Sequence, residues 1–131
     1  MNINKEIQVG LLSGLILLIL DYVYLSSTKP YFNKVVKSIQ GKGITVRYEG
    51  VIPCYILLIV GLNYFVLSNN HLADDQKVKH AFWLGIIIYG VFDTTCYAIF
   101  DNWTLKAVLM DTIWGGIVLS ATTLLTLKFI K

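Results

Sequence analysis

Charged residues are scarce in this sequence: Asp, Glu, Lys and Arg make up 15% of its 131 residues. A typical soluble domain carries about 25%. Hydrophobic residues reach 56% instead. The composition therefore argues against an ordinary soluble domain and predicts a single integral membrane domain over residues 1–131.

The sequence also lacks a dense basic run and a set of cysteines. Its net charge is only +3, and the Lys residues are scattered through connecting segments, so no nucleic-acid partner is predicted. Cys54 and Cys96 both lie inside apolar segments and are too few for a disulfide or metal framework. We therefore expect no cofactor and no metal site.

Four apolar segments are each long enough to cross a bilayer, which takes about 20 residues. They cover residues 6–27, 48–67, 80–100 and 104–129. Hydrophobicity does not alternate along them, which excludes the strands of a membrane barrel and leaves helices. The sequence thus predicts an all-α, four-transmembrane-helix bundle with both termini on one side, which we call side A. The Lys and Arg residues divide almost evenly between side A and the opposite side B, so they do not orient the protein.

The connection between the first two segments has a helical pattern of its own. Pro30 suits the first position of a helix, and Gly41 suits its end. Between them, apolar residues fall on one face and Lys34 and Lys37 on the other. We predict a short amphipathic helix in the side-B interface, where both Lys residues contact lipid head groups at roughly 1 kcal/mol each. The alternative is a helix that only covers the end of the bundle.

Three Asp residues lie inside the predicted spans, where an ionised carboxylate costs roughly 2.5–3.5 kcal/mol. Counted from the side-B ends of their segments at about 1.5 Å per residue, Asp21, Asp93 and Asp111 all lie about 10 Å inside the same face. They therefore share one layer. Carboxylates this close are expected to share a proton.

Aromatic side chains are expected in the same layer, because several lie one helical turn from an Asp or at the same depth. The residues predicted to bind a ligand or protons are Asp21, Asp93, Asp111, Tyr24, Tyr55, Tyr89, Tyr97 and Trp114. Ionisable residues inside a membrane are candidates for a functional site. The alternative is a hydrogen-bonded network that only fixes the register of the helices.

Small residues on two segments predict close helix packing. Gly10 and Gly14 form a G-x-x-x-G pattern, and Thr112, Gly116 and Ser120 form a ridge. In a chain with four spans, packing within the bundle is favoured over packing in an oligomer. Near the ends of the spans, an aromatic belt is predicted from Tyr64, Trp83 and Trp103.

Short motifs are spread over nearly the whole chain. They are Asp21 with Tyr24-Leu25, Tyr31-Phe32, Gly61-Leu62-Asn63-Tyr64-Phe65-Val66, Tyr89-Gly90-Val91-Phe92-Asp93-Thr94-Thr95, Trp103, and Asp111-Thr112-Ile113-Trp114-Gly115. Together they resemble a family of predicted four-helix membrane proteins, domain of unknown function 2177. The resemblance implies the four-helix fold and makes the three Asp residues motif positions, but it implies no activity. This sequence departs at Phe92, where Tyr is common, and at Thr95-Cys96, where the family tends to Asn.

Three functions are open at this point. The first is binding or conduction of protons, cations or a small solute through the Asp/Tyr cluster, as a homo-oligomer because four helices barely enclose a pathway. The second is a structural or scaffold protein of a cellular or virion membrane. The third is a membrane enzyme that uses the Asp residues as acid–base groups on a lipid. The enzyme is the least favoured, since no nucleophile pair, metal motif or phosphate loop is present.

Overall fold

The computed structural model describes residues 3–130 and contains only helices within them. They are α1 (Ile3–Gln40), α2 (Tyr48–Leu62) with a π-helical end (Asn63–Leu67), α3 (Asp74–Ile99) and α4 (Leu105–Ile130). Counting α2 together with its π-helical end as Tyr48–Leu67, all four are long and apolar enough to span a membrane. The predicted fold class is therefore confirmed.

Helix α3 begins six residues before the predicted third span. Asp74 and Asp75 lie in its first turn, where negative charge interacts favourably with the helix dipole. The side-chain oxygen of Gln76 accepts a 2.9 Å hydrogen bond from the backbone N–H of Ala73, which satisfies one of the free donors at the helix start. Polar residues between the predicted second and third spans thus form the first turns of the helix.

The separate interfacial helix predicted between the first two spans is wrong. Helix α1 runs unbroken through this region and contains Pro30. It ends where expected, because Gly41 has a φ of +82°, a conformation that stops helices and suits glycine. At about 1.5 Å per residue, the 38 residues of α1 extend roughly 57 Å. That is longer than a hydrocarbon core of about 30 Å, so α1 projects beyond the membrane.

Tertiary contacts explain why α1 tolerates Pro30, which costs about 3 kcal/mol inside a helix. The hydroxyls of Tyr31 and Thr104 are hydrogen-bonded at 2.5 Å. The side-chain amide of Asn102 donates to the carbonyl oxygen of Ser38 at 2.9 Å. The segment after Pro30 is therefore held against the turn between α3 and α4 as a continuation of α1.

Helices α3 and α4 form the most tightly packed pair in the bundle. A Cβ atom on Gly85 would overlap the backbone oxygen of Gly115, and one on Gly116 would meet Phe82 and Ile86. On α1, Gly14 faces Ile59, whereas nothing lies near Gly10. The small residues of α4 and Gly14 thus pack within the bundle.

Helices α1 and α4 also pack on each other, and α2 packs on α1. Helix α2 meets α3 mainly through its π-helical end, where the Lys77 ammonium donates to the carbonyl oxygen of Leu67 at 3.0 Å. The buried apolar core fills the side-A half of the bundle and includes Leu17, Leu62 and Leu119. The side-B half contains the three intramembrane Asp residues, although buried hydroxyl side chains such as Ser13 and Thr122 also lie in the side-A half.

Candidate functional site

A cavity of about 360 Å³ lies in the side-B half of the bundle. All four helices contribute to it. Its polar lining includes Asp21, Asp93, Asp111, Tyr24, Tyr55 and Tyr89. The structure therefore brings together the three carboxylates that helix geometry places in one layer, and it leaves a space between them.

Asp21 is buried on α1 and accepts hydrogen bonds on both carboxylate oxygens. The hydroxyl of Tyr55 donates to Oδ2, and the indole N–H of Trp114 donates to Oδ1 at 2.9 Å. These donors come from α2 and α4. Asp21 thus connects three helices and has no free oxygen.

Asp111 on α4 accepts a 2.6 Å hydrogen bond from the hydroxyl of Tyr24 on α1. The ring of Tyr24 stacks on that of Trp114, with centroids 4.7 Å apart and planes inclined by 4°. Because Trp114 also donates to Asp21, this aromatic pair joins the two carboxylates. The interface between α1 and α4 is therefore built around them.

Asp93 on α3 is fully buried and differs from the other two carboxylates. The indole N–H of Trp103 donates to Oδ1 at 3.3 Å, but Oδ2 has no partner among the described residues. The carboxyl group of Asp111 lies beside it. Two carboxylates can bond to each other only if the pair holds a proton. Within the described residues, the wall of the cavity thus contains one unpaired acceptor, which is covered by its neighbours and can share a proton with Asp111.

A family model matches residues 7–128, which is almost the whole chain. It is described as a predicted membrane protein, domain of unknown function 2177 (DUF2177). The chain belongs to this family. No curated protein and no solved structure matches it. Membership confirms the resemblance carried by the Asp-centred motifs and agrees with a multi-pass membrane protein of unknown function.

Two of the predicted site residues do not line the cavity of this DUF2177 protein. Trp114 is not part of the lining, but its indole N–H donates a hydrogen bond to Asp21, which is. Tyr97 lies on the outside of α3 and is 52% exposed. Successive positions four apart drift about 40° around a helix of 3.6 residues per turn. The stripe through Tyr89 and Asp93 therefore turns away from the cavity before it reaches Tyr97.

Sequence reasoning placed Trp103 in an aromatic belt and missed its hydrogen bond to Asp93. Trp103 follows α3 in the short turn before α4, and the path of that turn folds its indole back to the carboxylate. No periodicity relates a turn residue to the preceding helix. The motif spacing that placed Trp103 between Asp93 and Asp111 was the only available signal.

The predicted head-group residues Lys34 and Lys37 are exposed on the side-B extension of α1, while Val35 between them is buried. The polar and apolar faces are therefore as expected, although the segment is not a separate helix. Contact between these Lys residues and lipid stays a prediction.

The DUF2177 cavity is suited to a hydrogen-bond donor or a positive charge. Its carboxylates are acceptors, and the hydroxyls of Tyr24 and Tyr55 already donate to them. None of the described residues that line it is Lys or Arg. Among residues 3–130, no group of three His, Cys, Asp or Glu residues is arranged to hold a metal ion. Protons and cationic groups match this lining.

Proposed function

We propose that this membrane protein binds a small organic cation, an ammonium group, in the carboxylate-lined cavity. The observation that carries the proposal is the unpartnered Oδ2 of the fully buried Asp93, which lines a cavity of about 360 Å³ with two further carboxylates. An ammonium group supplies three donors and a positive charge. It would take the place of the proton that the Asp93–Asp111 pair otherwise needs.

Binding is favoured over conduction because the cavity ends against the apolar core. Leu17 lies one helical turn from Asp21 towards side A, and Leu62 and Leu119 are packed beside it. All three are at most 1% exposed. A path to side A would require this layer to separate. The conduction hypothesis therefore needs a second conformation, whereas binding within the cavity does not require this layer to open.

Titration with propylamine hydrochloride tests the proposal in detergent-solubilised protein. Trp103 and Trp114 bond directly to the carboxylates and serve as fluorescent reporters. Replacing the outward-facing Trp83 by Phe removes the third indole. We expect a saturable change in emission, with NaCl at equal ionic strength producing none. The absence of a saturable change would contradict the proposal.

Two matched variants test whether the fluorescence response comes from binding in the cavity. Asp93→Asn removes a charged acceptor, and hydrogen bonds to charged groups contribute about 1.5–3 kcal/mol. We expect it to weaken propylamine binding by about tenfold or more. Asp101→Asn removes the same charge at an exposed position in the turn before α4, and it should leave binding unchanged. An equal effect of both substitutions would assign the response to net charge.

A structural role is the second candidate, and the bonds around Asp21 favour it. Asp21 joins α1 to donors on α2 and α4, and both its oxygens are satisfied. In this case the layer holds the bundle together and binds nothing. It predicts that Asp→Asn substitutions lower thermal stability while propylamine produces no saturable signal in the unsubstituted protein.

A further inference from the structure

The four helices form an incomplete ring, in which α2 packs on α1, α1 on α4 and α4 on α3. The ring is held between α2 and α3 at side A, where the π-helical end of α2 contacts α3. Towards side B, the backbones of Tyr48–Leu62 and α3 barely approach each other. The cavity fills this gap. It therefore opens sideways, between two helices.

The rim of the lateral opening is apolar. Leu58 on α2 and Ile88 and Phe92 on α3 line the cavity together with the carboxylates. Phe92 is 61% exposed on the outside of the bundle. At a depth of about 10 Å inside a hydrocarbon core of about 30 Å, the surroundings of this rim are acyl chains. A charged floor with an apolar side entrance matches a ligand that has a polar head and a hydrocarbon tail.

The volume of the cavity is consistent with such a head. A water molecule takes up about 30 Å³ in the liquid, so about 360 Å³ corresponds to roughly twelve of them. An ammonium group and the first several methylenes fit this space. The rest of a long chain would extend between α2 and α3 into the bilayer.

The charge of the head group is inferred from the residues that line the cavity. Three Asp residues face the cavity, and no Lys or Arg lines it among the described residues. A phosphate head would bring further negative charge to carboxylates in a medium of low dielectric constant. An ammonium head supplies the donors that the open oxygen of Asp93 lacks.

We infer that the ligand is a single-chain amphiphile with an ammonium head, and that it enters from the bilayer between α2 and α3. The inference rests on the proposed function, because it assigns a ligand class and an entry route to the same cavity. It differs from the proposed function because it requires the ligand to have a hydrocarbon tail. A water-soluble amine that enters from side B satisfies the proposed function alone.

The test compares dodecylamine with propylamine in protein reconstituted into lipid nanodiscs, with Trp83 replaced by Phe. Ile88→Phe adds bulk at the rim without a new indole. Because Ile88 also lines the cavity, we expect it to weaken dodecylamine binding by about tenfold and propylamine binding by a clearly smaller factor. Val91→Phe adds a ring to the same helix at a 62% exposed position that does not line the cavity, and it should affect neither amine. Thermal unfolding establishes that both variants are folded.

Head-group selectivity provides a measurement that needs no rim variant. With tails of equal length, dodecylamine should produce a saturable signal, whereas dodecanol and dodecyl phosphate should not. Binding of dodecyl phosphate would overturn the inference. Binding of propylamine without dodecylamine, or an equal effect of Ile88→Phe on both, would overturn the route and leave the proposed function standing. Failure of both amines would remove the proposed function as well.

Discussion

At the scale of single residues, the three intramembrane carboxylates have different surroundings. Asp21 accepts bonds on both oxygens, and Asp111 accepts one from Tyr24. Asp93 keeps one oxygen without a partner among the described residues. Buried acceptors are normally satisfied. We therefore assign the main structural contribution to Asp21 and the exchangeable contact to Asp93.

Replacing Asp21 and Asp93 by Asn separates these contributions. An amide at position 21 can still accept from the indole of Trp114 and can donate to the hydroxyl oxygen of Tyr55, but the O–H of Tyr55 then loses the carboxylate oxygen that accepts from it. We expect Asp21→Asn to reduce the free energy of unfolding by about 1–3 kcal/mol. Asp93→Asn should cost less, because its amide can donate to Asp111. Thermal unfolding in one detergent measures both, and a larger loss for Asp93→Asn would refute the assignment.

The common depth of the carboxylates could be predicted from the sequence, because it depends only on the helical rise and the ends of the spans. The placement of Tyr24 and Tyr55 at the cavity follows from the same arithmetic. The open oxygen of Asp93 could not be predicted. It depends on which donors reach the layer from other helices, and Trp103 reaches it through the course of a turn.

At the scale of helices, close backbone contact distinguishes α3–α4 from the other pairs. Gly85 and Gly115 permit this contact, because a side chain on either would meet the backbone of the other. By contrast, the open side-B half of α2 makes little contact with α3. The sequence predicted a small-residue ridge on α4 from Thr112, Gly116 and Ser120 but did not indicate the contact between Gly115 and Gly85.

Adding one methyl group tests this interface. Gly85→Ala places a Cβ against the carbonyl of Gly115, a backbone atom that cannot rotate away, and overpacking of this kind costs about 1–3 kcal/mol. Gly61→Ala, on α2, meets nothing within 4 Å and should be neutral or stabilising, since Ala favours helix. The two melting temperatures provide the comparison. Equal values would show that the α3–α4 contact is looser than described.

The continuity of α1 could not be predicted, because Pro30 and Gly41 are equally suited to a separate helix and to the end of a long one. The contacts of Tyr31 with Thr104 and of Ser38 with Asn102 hold this part of α1 against the turn before α4 and decide between them. These contacts join residues more than sixty positions apart, and local patterns do not contain them.

A spin-label distance tests this continuity. Labels at the exposed positions 18 and 37, with both native cysteines replaced by Ser, are nineteen residues apart. In a continuous helix their separation along the axis is about 28 Å. A right-angled bend at Pro30 reduces it to about 21 Å. We expect the longer distance by electron–electron double resonance, and the shorter one would restore the interfacial helix.

At the scale of the whole molecule, the bundle has two unlike halves. The side-A half is closed by buried apolar side chains, and the side-B half contains the cavity. The four-span architecture was predictable from hydrophobic length alone. The division into halves was not, because it depends on where α2 separates from α3.

Ion flux into reconstituted vesicles tests whether the side-A half of the bundle is closed to ions. Because Leu17, Leu62 and Leu119 fill the bundle below the cavity, we expect proton and potassium flux equal to that of vesicles without protein. Flux above that level that disappears in Asp93→Asn would favour conduction over binding. The same flux in both proteins would indicate leakage unrelated to the carboxylates.

The contact between Gly85 and Gly115 also determines which part of the molecule can move. Two backbones that already touch cannot come closer, and a short turn joins their helices, so α3 and α4 form one closely packed block. Helix α1 is tied to that block through Tyr24 and Trp114. Helix α2 makes little contact with α3 along Tyr48–Leu62, but Tyr55 bonds it to Asp21 on α1, so a wider gap between α2 and α3 with α1 in place would break this bond.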